Sequence, residues 1–157
     1  MLRKEILRTP RTVSTPPGST MDIAAVAAVL VTSEDPTHPI DLAFDGQGAS
    51  RWISGESGEQ TVIVAFDAAQ SIRAVHLEVD EPDVARTQEL DLSLSTDGGQ
   101  TYRHLLRQEY NFSPPDSSHE TERWSIVADG VTHLRLRIKP DKGGKPCRAT
   151  LTTLAVE

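Results

Sequence analysis

Strict alternation of apolar and polar residues restricts this chain more than any other feature. Val75, Leu77 and Val79 in "IRAVHLEVD", and Leu134, Leu136 and Ile138 in "HLRLRIK", put every second side chain on one dry face. That period of two belongs to strands and is foreign to helices. Comparable runs occupy residues 29–33, 61–66, 72–80, 89–95, 122–127, 133–139 and 151–156. Between them lie segments dense in turn residues, such as "DGQG", "SGESGE", "STDGG", "SPPDSS", "ADG" and "PDKGGKP", and no long amphipathic helix pattern interrupts. About eight short strands, several with one dry face, predict an all-β fold, a two-sheet antiparallel sandwich or jelly roll.

At 157 residues the chain suits one domain with one core. Its single cysteine, Cys147, excludes an intrachain disulfide and any multi-cysteine zinc site, so packing must supply the stability. The longest apolar run, "IAAVAAVLV" at 23–31, is too short to span a bilayer. It follows Asp22 and "STPPGST" instead of a basic region, and no small-residue cleavage site follows it. It therefore reads as a first core strand, or a short helix leading into one, in a chain expected to be cytoplasmic more readily than secreted. Residues 1–20, with four basic residues and three prolines, read as an N-terminal arm, leaving 29–157 as the sandwich.

The net charge of −7 conceals an asymmetry. Residues 23–130 carry 19 Asp/Glu against six Lys/Arg, whereas Arg135, Arg137, Lys139, Lys142, Lys145 and Arg148 crowd the segment after them. A basic stretch on an acidic body either attracts phosphate or an acidic partner, or protects a strand from edge-to-edge aggregation.

The string "STDGGQTY" at 95–102 resembles the Asp-box of sialidases and related propellers. A propeller needs at least four blades and a matching internal repeat, and this chain has one such string and no repeat. Asp97, Gly98 and Gly99 instead have the chemistry of a tight hairpin turn: a side-chain acceptor and two residues that tolerate positive φ.

In order along the chain stand "AFDG" (43–46), "SRWIS" (50–54), a strand ending in "FD" (66–67), "SIRAVHLEV", Arg86 ahead of "ELDLSLSTDGGQTY", "VTHLRLRI" and "ATLTTLAV". This series resembles the discoidin or coagulation factor 5/8 type C family, and the resemblance covers about 29–157. It implies the galactose-binding-like jelly roll. Within the same superfamily, "VTSEDPTHPIDLAFD" followed by "SRW" and "GEQTVIVAF" is also similar to the N-terminal domain of a single-strand-break repair scaffold, which binds a polymerase and nicked or gapped DNA.

The resemblance implies that Arg86, just ahead of a core strand, contacts sugar hydroxyls, a task that suits a planar guanidinium fork. Otherwise it is a rim arginine paired with Glu81 or Asp83. Trp52 stands where the family packs a tryptophan between the sheets. Trp124 is either core or a stacking platform for a ligand, with His119 and Glu120 in the adjoining loop as polar help. Asp45 matches a position at which relatives bind structural calcium. The last-strand carboxylate that would complete that site is Thr153 here, so Asp45 is expected to cap its turn, and no cofactor is expected.

The five histidines show no metal-ligand spacing, and no serine sits in a nucleophile elbow. The reading is a non-catalytic binding module for a carbohydrate or other partner, served by Arg86, Trp124, His119 and Glu120. Its alternative is a protein or nucleic-acid interaction module using Arg135, Arg137, Lys139, Lys142, Lys145 and Arg148.

Overall fold

A computed structural model describes residues 20–157. One helical turn, α1 (Ile23–Val26), runs straight into β1 (Ala27–Val31), and a 3-10 turn (Ile40–Ala43) follows. The remaining strands are β2 (Trp52–Ser57), β3 (Gln60–Asp80), β4 (Arg86–Ser95), β5 (Arg103–Phe112), β6 (His119–Lys139), β7 (Arg148–Leu151) and β8 (Thr153–Val156). Every pairing is antiparallel, in the order β1-β3-β6-β4-β5 with β8 also on β3, while β2 and β7 form a separate pair.

The long strands β3 and β6 generate the sandwich. Their mutual ladder is irregular between Ala65 and Ala74. Ahead of that break β3 pairs with β1, and beyond it with β8. On β6, β4 pairs only with His133–Lys139. Bulges bend strands and let one chain segment serve two layers. The two predicted strands at 61–66 and 72–80 are thus one bent strand, as are those at 122–127 and 133–139. Conversely, the predicted strand at 151–156 divides at Thr152, whose buried N–H bonds Glu78 O at 2.9 Å.

Alternation places Val75, Leu77, Val79, Leu90, Leu92, Leu134, Leu136 and Ile138 in one core. Trp52 is fully buried there, as expected, and its Nε1 donates to Ser33 O at 3.1 Å. The core begins before residue 29. Met21, Ile23 and Val26 are buried in it, and the Met21 N–H bonds Val156 O at 2.7 Å. Except for Thr20, the N-terminal arm expected over 1–20 lies outside the described residues.

The "STDGG" string is a hairpin turn between β4 and β5. Asp97 Oδ1 accepts from the Ser95 hydroxyl and from the N–H groups of Gln100 and Thr101, while Oδ2 accepts from the Thr101 hydroxyl. These donors hold the Asp97 carboxyl well below the usual range. Gly98 and Gly99 take φ of 80° and 85°, which side chains with a Cβ adopt at a cost. Among the described residues, no helix is long and apolar enough to cross a membrane.

Candidate functional site

At one end of the sandwich, the loop leaving β3, the approach to β2 and the segment leading into β7 surround a cavity of about 680 Å³. Its charged walls are Arg51, Glu81, Asp83, Arg86, Lys145 and Arg148. Glu81 organises it. One carboxylate oxygen accepts from the N–H groups of Asp83 and Val84 at 2.9 and 3.2 Å, which closes the loop on itself. The other lies 2.6 Å from Arg86 Nη2 and 3.9 Å from Arg51 Nη1.

Arg86 opens β4, and its Nη1 donates to the carbonyl of Arg148, joining β4 to β7. Its side chain is 1% exposed and that of Glu81 5%. The pairing with Glu81 was one of the two expected roles, but its place is corrected: this is a buried pair in the cavity floor, not a rim contact. The β-ladder explains the burial, because Arg86 stands opposite Phe112 at the inward-facing end of β4. Arg51 bridges the loops, donating to Thr150 Oγ1 (2.9 Å), Asp80 O (3.1 Å) and Asp83 Oδ2 (3.3 Å). Arg148 pairs with Asp35 at 2.8 Å, and Lys145 Nζ meets the Ala85 carbonyl at 3.3 Å.

Cavity, strand order and buried pair frame the comparisons with known proteins. A family model of the F5/8 type C domain matches residues 28–151. The chain belongs to the F5/8 type C domain family. No curated protein matches it significantly. Among solved structures, the family 32 CBM from C. perfringens NanJ in complex with galactose superposes with a TM-score of 0.66 at 12% identity, covering 87% of this chain and 96% of that one. The CBM32 of AlyQ, in complex with 4,5-unsaturated mannuronic acid, gives 0.63 at 17% identity, covering 88% and 98%. A pectin binding carbohydrate binding module gives 0.62 at 20% identity, covering 84% and 90%. At these identities the likeness establishes the shared sandwich fold.

Within this F5/8 type C domain the expected ligand residues separate. Trp124, His119 and Glu120 do not line the cavity that holds Arg86, and none of its lining residues is aromatic. Trp124 stands opposite Val75, half-buried against the core. Glu120 is half-buried one face-repeat before Glu122, and their charges, second to burial, push the Tyr110 hydroxyl up from its ordinary range. His119 hydrogen-bonds Asp80 through Nδ1 and lies 3.7 Å from Glu78 through Nε2. The Asp80 hydrogen bond, more than the neighbouring charges, raises its pKa. His119 begins β6 beside the loop end, where Ser118 O accepts from the Glu81 N–H at 2.7 Å, whereas Glu120 and Trp124 lie further along the strand.

Asp45 closes its own loop, accepting from the Gln47 N–H at 2.9 Å and the Ser50 hydroxyl at 3.2 Å. Thr153, expected to stand where a family carboxylate would, lies on β8. Thr153 pairs across the ladder with Glu78, and a Cβ added at Gly48 would lie 3.6 Å from Glu78 Oε1. Glu78, Asp80 and His119 bring ligand atoms within 4.8 Å of one another, but the imidazole already lies between the two carboxylates.

The basic segment does not form a surface of one sign. On β6, Arg137 stands opposite Asp91 and Lys139 opposite Glu89. Arg107 on β5 pairs with both of those acids at 3.1 Å. Lys142 is 2.7 Å from Glu109, and the Arg135 guanidinium stacks 3.8 Å from the Tyr102 ring centroid. Lys145 and Arg148 belong instead to the cavity. Arg51 joins the cavity without a sequence motif that marks it, and Glu81 and Asp83 are foreseen from sequence only as partners for Arg86. The clue lay in charges clustered at strand ends, in "SRW", "DEPDVAR" and "KPCR".

Proposed function

We propose that this F5/8 type C domain is a non-catalytic carbohydrate-binding module whose ligand enters the cavity framed by Arg51, Glu81, Arg86, Lys145 and Arg148. One observation carries the reading: a roomy cavity of mixed polar and apolar lining stands at the loop end of the sandwich, over a floor locked by the buried Arg86–Glu81 pair. Rigid loops bearing fixed donors and acceptors suit sugar hydroxyls, whose recognition depends on placement more than on chemistry. Structurally similar modules are described with galactose or an unsaturated mannuronic acid, which supports the same ligand class.

Trp124, His119 and Glu120, which lie elsewhere, are left out of this site. The interaction-module alternative loses its support because Arg137 and Lys139 on β6 face Asp91 and Glu89, and Lys142 beyond it pairs with Glu109. The domain needs no metal in this reading, since both Asp45 oxygens serve the loop's own donors and Glu78 faces the His119 imidazole.

A glycan-array screen followed by calorimetry tests the proposal. Wild type is expected to bind at least one glycan, and Lys145→Ala combined with Asp83→Ala, both at exposed positions, to weaken binding without lowering the melting temperature. Wild-type binding unaffected by the paired change would move the site away from this cavity.

A further inference from the structure

Asp80 is the last residue of β3 and stands directly ahead of Glu81, the residue that organises the cavity. Every polar group it owns is engaged. Its N–H donates to Thr152 Oγ1 at 2.9 Å, and its carbonyl accepts from Arg51 Nη1 at 3.1 Å and from Thr150 Oγ1 at 3.4 Å. Of its carboxylate oxygens, Oδ2 accepts from the Thr152 hydroxyl at 3.2 Å and Oδ1 bonds His119 Nδ1. Asp80 thus holds the Arg51 wall on one side and leads into the Glu81 floor on the other.

His119 is the opposite half of this corner. It faces Asp80 as the terminal pair of the β3–β6 ladder, and one step beyond, the Glu81 N–H donates to Ser118 O at 2.7 Å as the cavity loop departs. The imidazole also sets the local charge balance. Glu78 and Asp80 approach it from β3, with Nε2 3.7 Å from Glu78 Oε1, and Glu120 adds a negative charge from its own strand. From β8 the residue opposite Glu78 is the neutral Thr153, and Thr152 ahead of it is neutral too. Glu81 and Asp83 in the loop are turned to Arg86 and Arg51, and Asp45 bonds its own loop. Among the described residues no lysine or arginine pairs with the Glu78 or Asp80 carboxylate, so a protonated His119 is their one cation.

We infer that His119 is a positioning residue for the cavity: by gripping Asp80 where β3 ends, it sets the 81–85 loop and with it the Arg51 wall and the Glu81–Arg86 floor. This rests on the carbohydrate reading for what the cavity receives, whereas the grip itself is a property of the fold. His119 lies outside the cavity lining and acts through Asp80. Its side chain is 49% exposed, so solvent protons reach it. The Asp80 hydrogen bond raises its pKa above the ordinary 6.5, so the folded state holds the proton more tightly than the unfolded chain does. The charged grip is therefore complete below about pH 6.5 and fades as pH rises through the raised value.

The test is amide exchange of the Glu81, Asp83 and Val84 N–H groups, read by NMR on the full chain at about pH 5.5 and about pH 9, on either side of an imidazole titration. Two variants bracket the wild type: His119→Lys, charged throughout, and His119→Gln, never charged. The exposed position lets both fold. Rates are compared at equal pH, which cancels the intrinsic chemistry of exchange. At the lower pH, wild type is expected to match His119→Lys and to exchange about two- to five-fold more slowly than His119→Gln, the range of a partly screened pair. At the higher pH it should match His119→Gln. If lysine cannot reproduce the imidazole's geometry, convergence of wild type with His119→Gln still decides. An imidazole with a merely structural role would keep the same ratio to His119→Gln at both pH values, and that result overturns the inference. Binding should follow: a glycan that scores on an array loses affinity by a similar factor between the two pH values with wild type, and not with His119→Lys. Convergent exchange beside pH-independent glycan binding also overturns the inference, because the corner would then not reach the cavity. Absence of any glycan hit overturns the carbohydrate reading alone, since the exchange measurement needs no ligand.

Discussion

Arg86 illustrates how burial changes the meaning of a residue. On a rim, its pairing with Glu81 would contribute little, because water screens exposed ion pairs. In the cavity floor, with both side chains nearly inaccessible, removing one partner strands a charge in the interior. Arg86→Ala is therefore expected to cost about 3–5 kcal/mol in denaturant unfolding. Adding Glu81→Gln should recover a good part of that loss, because the amide oxygen still accepts from the Asp83 and Val84 loop while the stranded charge disappears. A cost under about 1 kcal/mol for Arg86→Ala would mean that water reaches the pair. A further consequence is that Arg86→Ala reports on stability before it reports on ligand, so substitutions at Lys145 or Arg148 probe binding more cleanly.

At the scale of elements, bending decides what the alternation can build. Residues 60–80 and 119–139 each form one strand that crosses from layer to layer, and the breaks near Ala65–Ala74 are where the apolar period slips. The first element matters as much. The α1 turn anchors Ile23 and Val26, and Met21 is tied by its N–H to Val156 on β8. A chain beginning at residue 29 should thus unfold at a distinctly lower temperature than one beginning at residue 20. Each fully buried aliphatic side chain removed is worth roughly 1.5–3 kcal/mol, and three are lost. Equal melting temperatures for the two chains would show that the sandwich closes without this element.

For the molecule as a whole, charge is arranged differently on the sheet face and at the loop end. The outer face of β4, β5 and β6 is a mesh of opposite charges, from Arg107 through Glu89 and Asp91 to Arg137 and Lys139. Such a mesh offers no single-sign track for a phosphate backbone. The loop end, by contrast, gathers cations from segments far apart in the chain. The loop carrying Asp45 stabilises itself, so excess chelator is expected to leave the melting temperature unchanged, and added calcium to raise it little. A drop of many degrees in chelator, reversed by calcium, would place a metal between Asp45 and Glu78, since a ligand bound only to the folded state stabilises it by mass action.

The sequence by itself determined the strand-rich fold class, the family order of motifs, the burial of Trp52 and the hairpin at Asp97. Each is encoded locally, in a two-residue period or in a turn whose donors and acceptors lie within a few residues. Tertiary structure alone decided which charges meet. Arg51, Glu81, Arg86 and Arg148 reach one cavity because bent strands bring their ends together, while Glu120 and Trp124 lie along β6 and His119, at its start, turns to Asp80 and Glu78. It also decided that the cations of β6 face acids on β4, a matter of register between strands some 45 residues apart. Periodicity reveals which face of a strand is dry, but the partner opposite each residue is set only when the sheets close over the core.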